Sequence, residues 1–183
     1  MILADVDILK LIRSKELIVT EFREQNLRPN GIRVHLSNEV ITYASDQVVD
    51  LRNSVEVSTI KLQIDEDQGY ILKPNEFILM ATKEQILTPK NIIGYLEGRS
   101  TIARLGLSIH CTSGVIDNMY GEKRSIVLEI KNTGPLSVRL YPNAPIGMLM
   151  FHQLTNDVQQ AAQSQYKNQD SVQGPNLRFT NGG

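Results

Sequence analysis

A short stretch of the sequence combines the residue types that bind phosphate groups. Arg99 and Arg104 carry guanidinium groups, whose paired N–H donors match the oxygens of a phosphate. Ser100 and Thr101 add hydroxyl groups, and Gly98 permits a tight turn in which successive backbone N–H groups can point at an anion. The pattern indicates a site for a phosphorylated ligand. From the residues alone, a polar turn with two solvated arginines remains the alternative.

A second candidate for chemistry is Glu129, which lies in an apolar run. A carboxylate can take a proton from an attacking water and pass protons on to a substrate, which is general acid–base catalysis. In a strand, however, Glu129 alternates with Leu128 and Ile130 and points to the opposite face. Without further information, an exposed strand glutamate is the simpler interpretation.

The elements that must position these residues are mostly short strands, separated by turn signals that contain Pro, Gly or Asn. A short helix is predicted near the N-terminus, where four apolar residues between 8 and 12 share a face behind an Asp that could cap it. A helical turn is predicted at 101–105. Many short strands predict a β-sandwich, jelly roll or barrel. The strand candidates are residues 32–36, 55–62, 70–72, 77–82, 92–96, 107–111, 125–131, 137–140 and 146–154.

Length and composition predict one β domain at 1–154, followed by a flexible tail at 155–183 that is rich in Gln, Asn, Ser and Gly. The net charge of −1 gives no bulk reason to expect nucleic acid or an anionic membrane as a partner. A single cysteine excludes an intrachain disulfide, and the first residues contain no long apolar run. We therefore expect a cytoplasmic protein.

The cysteine and histidine content bears on metal chemistry. Zinc nucleobase deaminases hold their metal with one His and two Cys, or with three Cys. Cys111 is the only cysteine, and His35, His110 and His152 show no short ligand spacing. Any deamination is therefore expected to proceed without zinc. We interpret Cys111 as a small buried apolar residue. We interpret His110 as a core or interface histidine whose polar atoms are hydrogen-bonded.

Three ordered motifs and a short tail motif carry a resemblance to a known family. Residues 98–107 read G-R-S-T-I-A-R-L-G-L and resemble the G-R-S-S-L-A-R-L-G-L motif of dCTP deaminases. Residues 110–117 read H-C-T-S-G-V-I-D and are similar to that family's H-x-T-A-x-x-I-D segment. Residues 126–134 read I-V-L-E-I-K-N-T-G and resemble its I-x-L-E-φ-x-N-x-G stretch, where φ is apolar. Residues 166–169, Y-K-N-Q, resemble its Y-x-N-Q.

The resemblance to the dCTP deaminase family, within the dCTP deaminase/dUTPase superfamily, implies a mainly β, distorted jelly-roll or barrel fold of the dUTPase type. It implies a homotrimer with active sites between subunits, and dCTP or dUTP as the nucleotide partner. It also implies Mg²⁺ held mainly by the triphosphate, with no metal ligands from the protein.

The resemblance also implies roles for single residues. Glu129 would be the catalytic acid/base, while Ser100 and Arg104 would organise the catalytic water or contact the triphosphate. Asp117 would hold the deoxyribose 3′-hydroxyl, and Gln169 would close over the nucleotide. Backbone groups at 127 and 128 would read the pyrimidine. The full set of implied substrate-binding residues is Arg99, Ser100, Thr101, Ile102, Ala103, Arg104, Asp117, Val127, Leu128, Glu129 and Gln169.

Several positions depart from the family pattern. Arg33 stands where the family usually carries Asp, and the charged stretch around 119–124 is slightly longer than its counterpart. Gln165 stands where a Lys usually precedes the Tyr of the tail, and a phosphate-binding Tyr expected upstream of Gln169 is missing. These departures affect the triphosphate contacts of the tail more than the deamination centre.

The leading functional hypothesis is hydrolytic deamination of dCTP to dUTP and ammonia. Gly114 favours an alternative, because deaminases that also hydrolyse dUTP tend to have Gly there, as do dUTPases with their G-V-I-D motif. That alternative is a bifunctional enzyme that yields dUMP, or a plain dUTPase. Against a plain dUTPase, the tail has no G-F-G-S-T-G motif and Leu128-Glu129 is typical of deaminases. A catalytically silent nucleotide-binding module is the third hypothesis.

Overall fold

The computed structural model describes residues 1–44, 46–51, 56–160, 166 and 169–177. These residues are mostly β-structure with two α-helices, α1 (Asp5–Arg13) and α2 (Ser100–Arg104). The strands are β1 (Ile18–Val19), β2 (Leu27–Arg28), β3 (Gly31–His35), β4 (Glu39–Tyr43), β5 (Thr59–Gln63), β6 (Tyr70–Leu72), β7 (Phe77–Leu87), β8 (Ile92–Gly98), β9 (Leu107–Ser108), β10 (Val115–Ile116), β11 (Arg124–Asn132), β12 (Val138–Leu140) and β13 (Pro145–Gln153).

Two antiparallel sheets form the body of the fold. One has the strand order β5-β4-β7-β11-β9, with β1 paired to β7, and the other has the order β10-β8-β13-β3-β2. Burial alternates along β8 and β13, so one face of the second sheet lies against the first. Buried residues of both sheets form the main core, which includes Leu96, Leu149, Met80 and Leu128. The predicted mainly β fold is confirmed.

Helix α1 begins after Ala4, whose backbone N–H donates to Oδ2 of Asp7 at 3.4 Å. The expectation that an Asp caps this helix is wrong, because Asp5 is already the first helical residue. The acidic side chains lie instead in the first turn, where negative charge interacts favourably with the helix dipole. Ile8 is fully buried and Ile12 packs against the core, so the predicted apolar face is confirmed.

Most predicted strands are present, but several boundaries differ. The candidate at 107–111 ends at Ser108, and the candidate at 55–62 begins at Thr59, with residue 55 outside the described residues. Strands β1, β2, β4 and β10 have no counterpart among the predicted strands. All four are short segments, and such segments pair because neighbouring strands offer hydrogen bonds, which local sequence does not reveal.

Strand β7 runs past its predicted end at residue 82, through polar residues that interrupt the apolar run. Thr82 and Glu84 are buried but hydrogen-bonded, which makes their burial tolerable. The hydroxyl oxygen of Thr82 accepts the backbone N–H of Ile126 at 2.9 Å. The carboxylate of Glu84 accepts the backbone N–H of His35 at 2.9 Å and lies 2.5 Å from Nδ1 of the same residue. Among the helices of the described residues, none is long and apolar enough to cross a bilayer.

Candidate active site

A cavity of about 410 Å³ lies on the outer face of the first sheet, against strands β7 and β11. Val127, Glu129 and Leu79 form its floor, and Glu129 pairs with Leu79 across the two strands. The loop after β9 and the described part of the tail complete its walls. This volume is in the range of small-ligand sites in proteins.

Glu129 presents its carboxylate to this cavity in a fixed position. Its Oε2 accepts the backbone N–H of Cys111 at 3.0 Å, and its own backbone N–H donates to the carbonyl of Ile109 at 3.1 Å. Strand alternation correctly predicts that Glu129 faces away from the core that buries Leu128. The side chain is nevertheless half-buried, because neighbouring segments cover this face of the sheet.

Cys111 lies beside Glu129 on the cavity wall, with its Sγ 3.8 Å from the Glu129 carbonyl oxygen. The expectation of a buried apolar cysteine is wrong, since Cys111 is exposed. The physical reason is that β9 ends at Ser108, so the following residues leave the sheet and do not continue its alternation. Partial desolvation raises the pKa of the Cys111 thiol, as does the negative charge of Glu129, while Lys131 opposes the shift.

Asp117 is exposed at the cavity and is positioned by the residue that follows it. The amide of Asn118 donates to the carbonyl oxygens of Pro89 and Ile92, both at 2.7 Å, and its Oδ1 accepts the backbone N–H of Tyr120 at 3.0 Å. Asn118 is only 6% exposed, so this network holds the loop after β10 firmly. Sequence reasoning missed Asn118, whose only signal is its place directly after the I-D motif.

Gly114 lies at a close approach of two backbone segments. Its carbonyl accepts the N–H of Leu96 at 2.7 Å, and an added Cβ would lie 3.2 Å from Cε1 of His110 and 3.3 Å from the Leu96 carbonyl oxygen. His110 itself has a buried Nδ1 without a hydrogen-bond partner in the described part of the chain, and its Nε2 lies 3.8 Å from a Glu97 carboxylate oxygen. The interpretation of His110 as a histidine whose polar atoms are hydrogen-bonded is therefore wrong for Nδ1.

The described part of the tail packs on the outer face of the sheet. The backbone carbonyl of Gln169 accepts the N–H of Ser125 at 2.9 Å, and the Gln169 side-chain amide donates to the Ser125 carbonyl at 3.1 Å. Val172 is 2% exposed and packs with Ile41 and Leu79. Gln169 thus lies in the cavity wall. Of the Y-K-N-Q motif, residues 167 and 168 lie outside the described residues.

Aromatic residues that sequence reasoning missed form another wall. The rings of Tyr43 and Phe77 stack with centroids 5.8 Å apart and an interplanar angle of 29°. Burial raises the pKa of Tyr43, and the charges of Glu129, Tyr166 and Cys111 act in the same direction. Tyr43 belongs to the unpredicted strand β4, so no sequence pattern connected it with Glu129.

The structure places the predicted phosphate-binding residues outside this cavity. On helix α2, the side chains of Ser100, Thr101, Ala103 and Arg104 are exposed, and Ile102 packs against the core. The guanidinium of Arg99 donates through Nη1 to the carbonyl of Pro145 at 2.7 Å. A single chain therefore brings four of the predicted site residues together at the cavity, and the backbone of Leu128 lies between two of them. These four are Asp117, Val127, Glu129 and Gln169. The other predicted residues lie outside the cavity of their own chain: Arg99, Ser100, Thr101, Ile102, Ala103 and Arg104.

Two glycines fix the end of α2 against the loop after β11. Gly106 has a φ of 84°, and a Cβ there would lie 2.4 Å from the backbone of Gly134. A Cβ on Gly134 would in turn lie 2.1 Å from the carbonyl oxygen of Leu105. The glycines of the first and third sequence motifs therefore meet in space, and this contact sets the position of α2 relative to the strand that carries Glu129.

Residues 2–154 match the model of the family described as dCTP deaminase-like. The chain belongs to the dCTP deaminase-like family. It is 32% identical over 170 residues to the "dCTP deaminase, dUMP-forming" of Persephonella marina, covering 92% of this chain and 93% of the relative. It is 36% identical over 158 residues to the protein of the same name from Corynebacterium jeikeium, covering 85% and 83%.

A solved structure supports the fold of this dCTP deaminase-like protein. The 2′-deoxycytidine 5′-triphosphate deaminase of Agrobacterium tumefaciens matches with a TM-score of 0.64 at 14% sequence identity. The match covers 83% of this chain and 48% of the other, so this chain spans about half the length of that relative. The predicted family and fold class are both confirmed.

Proposed function

We propose that this protein deaminates dCTP and also cleaves the triphosphate, so that dUMP, ammonia and diphosphate are its products. The observation that carries the proposal is the cavity in which Glu129 is held by the Cys111 N–H beside Val127, Asp117 and Gln169. The relatives at 32% and 36% identity are named as dUMP-forming enzymes, which favours the bifunctional alternative over the leading sequence-based hypothesis of dUTP release.

The deamination step follows from the position of Glu129. Water adds to C4 of cytosine while one carboxylate oxygen takes its proton. Glu129 passes that proton to N3, then takes the remaining proton of the added hydroxyl and gives it to N4. The C4–N4 bond breaks and ammonia leaves, so that dCTP and water become dUTP and ammonia. Because Oε2 already accepts the Cys111 N–H, Oε1 is the oxygen that exchanges protons with the substrate.

The other cavity residues bind and orient the nucleotide in this proposal. Asp117 accepts a hydrogen bond from the deoxyribose 3′-hydroxyl, and the backbone at 127 and 128 contacts the pyrimidine edge. The tail, residues 155–183, closes over the nucleotide, with Gln169 as the contact nearest to β11. The stacked rings of Tyr43 and Phe77 give the base an apolar wall, which shields the bound pyrimidine from bulk solvent.

In the second step, water attacks the α-phosphorus of dUTP, the bond to the oxygen that bridges to the β-phosphate breaks, and diphosphate leaves. Magnesium enters with the nucleotide, whose phosphate oxygens are the ligands this ion prefers. The side chains do not fit a protein-held ion, since no three His, Cys, Asp or Glu residues are grouped to hold a metal in the described ranges. In this proposal the protein supplies no metal ligand.

The proposal includes a homotrimer in which α2 of one subunit faces the Glu129 cavity of the next. It is supported by the exposure of α2, whose hydroxyl and guanidinium groups lie outside the cavity of their own chain. Arg99, Ser100, Thr101 and Arg104 would then contact the triphosphate across the subunit boundary, and Ser100 and Arg104 would organise the catalytic water.

Separation of the reaction products by chromatography tests the proposed function. The protein is incubated with dCTP and Mg²⁺, and dUMP, diphosphate and ammonia are expected in equal amounts. Accumulation of dUTP would contradict the second step and leave a monofunctional deaminase. Turnover of dUTP without turnover of dCTP would indicate a plain dUTPase. Binding of dCTP without any turnover would indicate a silent binding module.

A further inference from the structure

Three arginines lie together at one end of the second sheet. Arg28 of β2 pairs with Gly31 of β3, and Arg33 lies two residues further along β3, so both side chains leave the same face. Such diagonal neighbours have Cα atoms roughly 7–8 Å apart. Arg99 follows the end of β8, and its hydrogen bond to the Pro145 carbonyl fixes it at the start of β13, the strand that pairs with β3.

The surroundings of the three guanidinium groups contain no ion-pair partner within the described ranges. Two carboxylates near this end of the fold contact other groups, because Glu84 binds His35 at 2.5 Å and Glu97 lies 3.8 Å from His110.

Two further observations concern the hydrogen bonding and the electrostatics of these three arginines. The Nε–H of Arg28 is buried and donates to no described residue. Burial lowers the pKa of Arg33, and so do the positive charges of Arg28 and Arg99. The positive charges of these arginines therefore act on one another, and an anion bound beside them would relieve the repulsion.

We propose that Arg28, Arg33 and Arg99 form a binding site for a polyphosphate, and that its occupant is the triphosphate of the substrate nucleotide. Arginine suits this task because its planar N–H donors match phosphate oxygens in pairs. The assignment of the occupant rests on the proposed function. It adds Arg28 and Arg33 to the binding residues, neither of which belongs to the sequence motifs.

Isothermal titration of three ligands tests the proposal. Inorganic tripolyphosphate, dCTP and dCMP are titrated into the full chain, into Arg33→Gln and into Arg23→Gln, whose exposed arginine is outside the cluster. Loss of one charge-assisted hydrogen bond should weaken dCTP and tripolyphosphate binding to Arg33→Gln about tenfold or more. Binding of dCMP should change less than twofold, which also shows that the variant is folded, and Arg23→Gln should match the parent protein.

The outcomes separate this inference from the proposed function. Unchanged dCTP affinity in Arg33→Gln, with normal turnover of dCTP by the parent, overturns the inference and leaves the function intact. Arg33-dependent binding of tripolyphosphate with unchanged dCTP affinity shows a separate site for free phosphates, which overturns the assignment of the occupant. Arg33-dependent tripolyphosphate binding by a parent protein that binds neither nucleotide supports the polyphosphate site and rejects the proposed function.

A thermal melt of the ligand-free protein gives a readout that a structural role would not produce. If Arg33 only stabilised the sheet, Arg33→Gln should lower the melting temperature. Because its neighbours repel it, we expect an unchanged or higher melting temperature without ligand, and a smaller rise than the parent on addition of tripolyphosphate. A lower melting temperature without ligand, together with an equal rise on addition, would overturn the proposal.

Discussion

The Glu129 cavity and helix α2 differ in how far a single chain covers them: the cavity is lined on several sides, whereas α2 has no buried residue. The cavity is bounded by two strands, a loop and the tail, and hydrogen bonds from distant residues hold its carboxylate and its rim. Helix α2 has five residues, none of them buried. The side chains of Ser100, Thr101 and Arg104, which we propose to bind phosphate, are exposed. A single chain therefore encloses the proposed centre of proton transfer and leaves the proposed phosphate-binding residues open.

The local structure explains this difference. Glu129 belongs to a nine-residue strand in the centre of a sheet, where cross-strand pairing fixes each side chain. Helix α2 is fixed mainly at its ends, by the hydrogen bond of Arg99 to Pro145 and by the contact of Gly106 with Gly134. Such a turn is positioned accurately while its surface stays accessible, which is what a contact to a second subunit requires.

The largest expected effect is the loss of deamination in Glu129→Gln. The variant keeps the size of the side chain but cannot accept and return a proton, so kcat for dCTP should fall on the order of 10³-fold. Binding of dCTP, measured by titration, should change little, because the substitution leaves the cavity intact. Glu66→Gln, at an exposed turn, is the control and should retain full activity. Near-normal turnover in Glu129→Gln would mean that the cavity is not the reaction centre.

Mixing two inactive variants tests whether the cavity and α2 act across a subunit boundary. Glu129→Gln removes the first half of the site and Ser100→Ala the second. In a randomly mixed trimer, about a quarter of intersubunit sites receive both intact halves, so co-refolding should restore about a quarter of parental activity. If both halves belonged to the same chain, mixing would restore nothing, and the proposed trimer would lose its main support.

The sequence predicts these two regions unequally, for a physical reason. Motif order and spacing indicate both Glu129 and the α2 turn, and strand alternation gives the correct face for Glu129. Alternation cannot show that the described part of the tail covers that face, that Tyr43 lines the same cavity, or that Asn118 holds the loop carrying Asp117, because these contacts join residues far apart in the chain. Cys111 is misjudged for a related reason, since β9 stops earlier than its apolar pattern suggests.

A smaller effect is expected from weakening the contact between the tail and the sheet. Val172 is 2% exposed, so Val172→Ser removes apolar burial worth about 1–2 kcal/mol and should raise KM for dCTP about tenfold. The value of kcat should stay close to that of the parent, because the proton-transferring groups are untouched. Val48→Ser is the matched control, since Val48 is 90% exposed. Equal KM values for both variants would show that closure of the cavity does not depend on this contact.

The smallest expected effect is a change in the reactivity of Cys111. This reactivity reports whether the charges of Glu129 and Lys131 act on the thiol at the cavity wall. Because desolvation and the charge of Glu129 raise the thiol pKa, little thiolate forms at neutral pH, and alkylation by iodoacetamide should be slower than for a free peptide thiol. Glu129→Gln removes one cause of the raised pKa and should speed alkylation a few-fold at the same pH.

Lys131→Gln should change the alkylation rate of Cys111 in the direction opposite to Glu129→Gln. The charge of Lys131 lowers the pKa of Cys111, so its removal should slow the reaction at the same pH. Mass spectrometry of the intact chain reads the rate directly, because Cys111 is the only cysteine. Opposite changes in the two variants would show that Glu129 and Lys131 act on the cavity wall through their charges. Equal rates in both variants and the parent would show that solvent screens Glu129 there, so that the cavity is no more enclosed than the surface of α2.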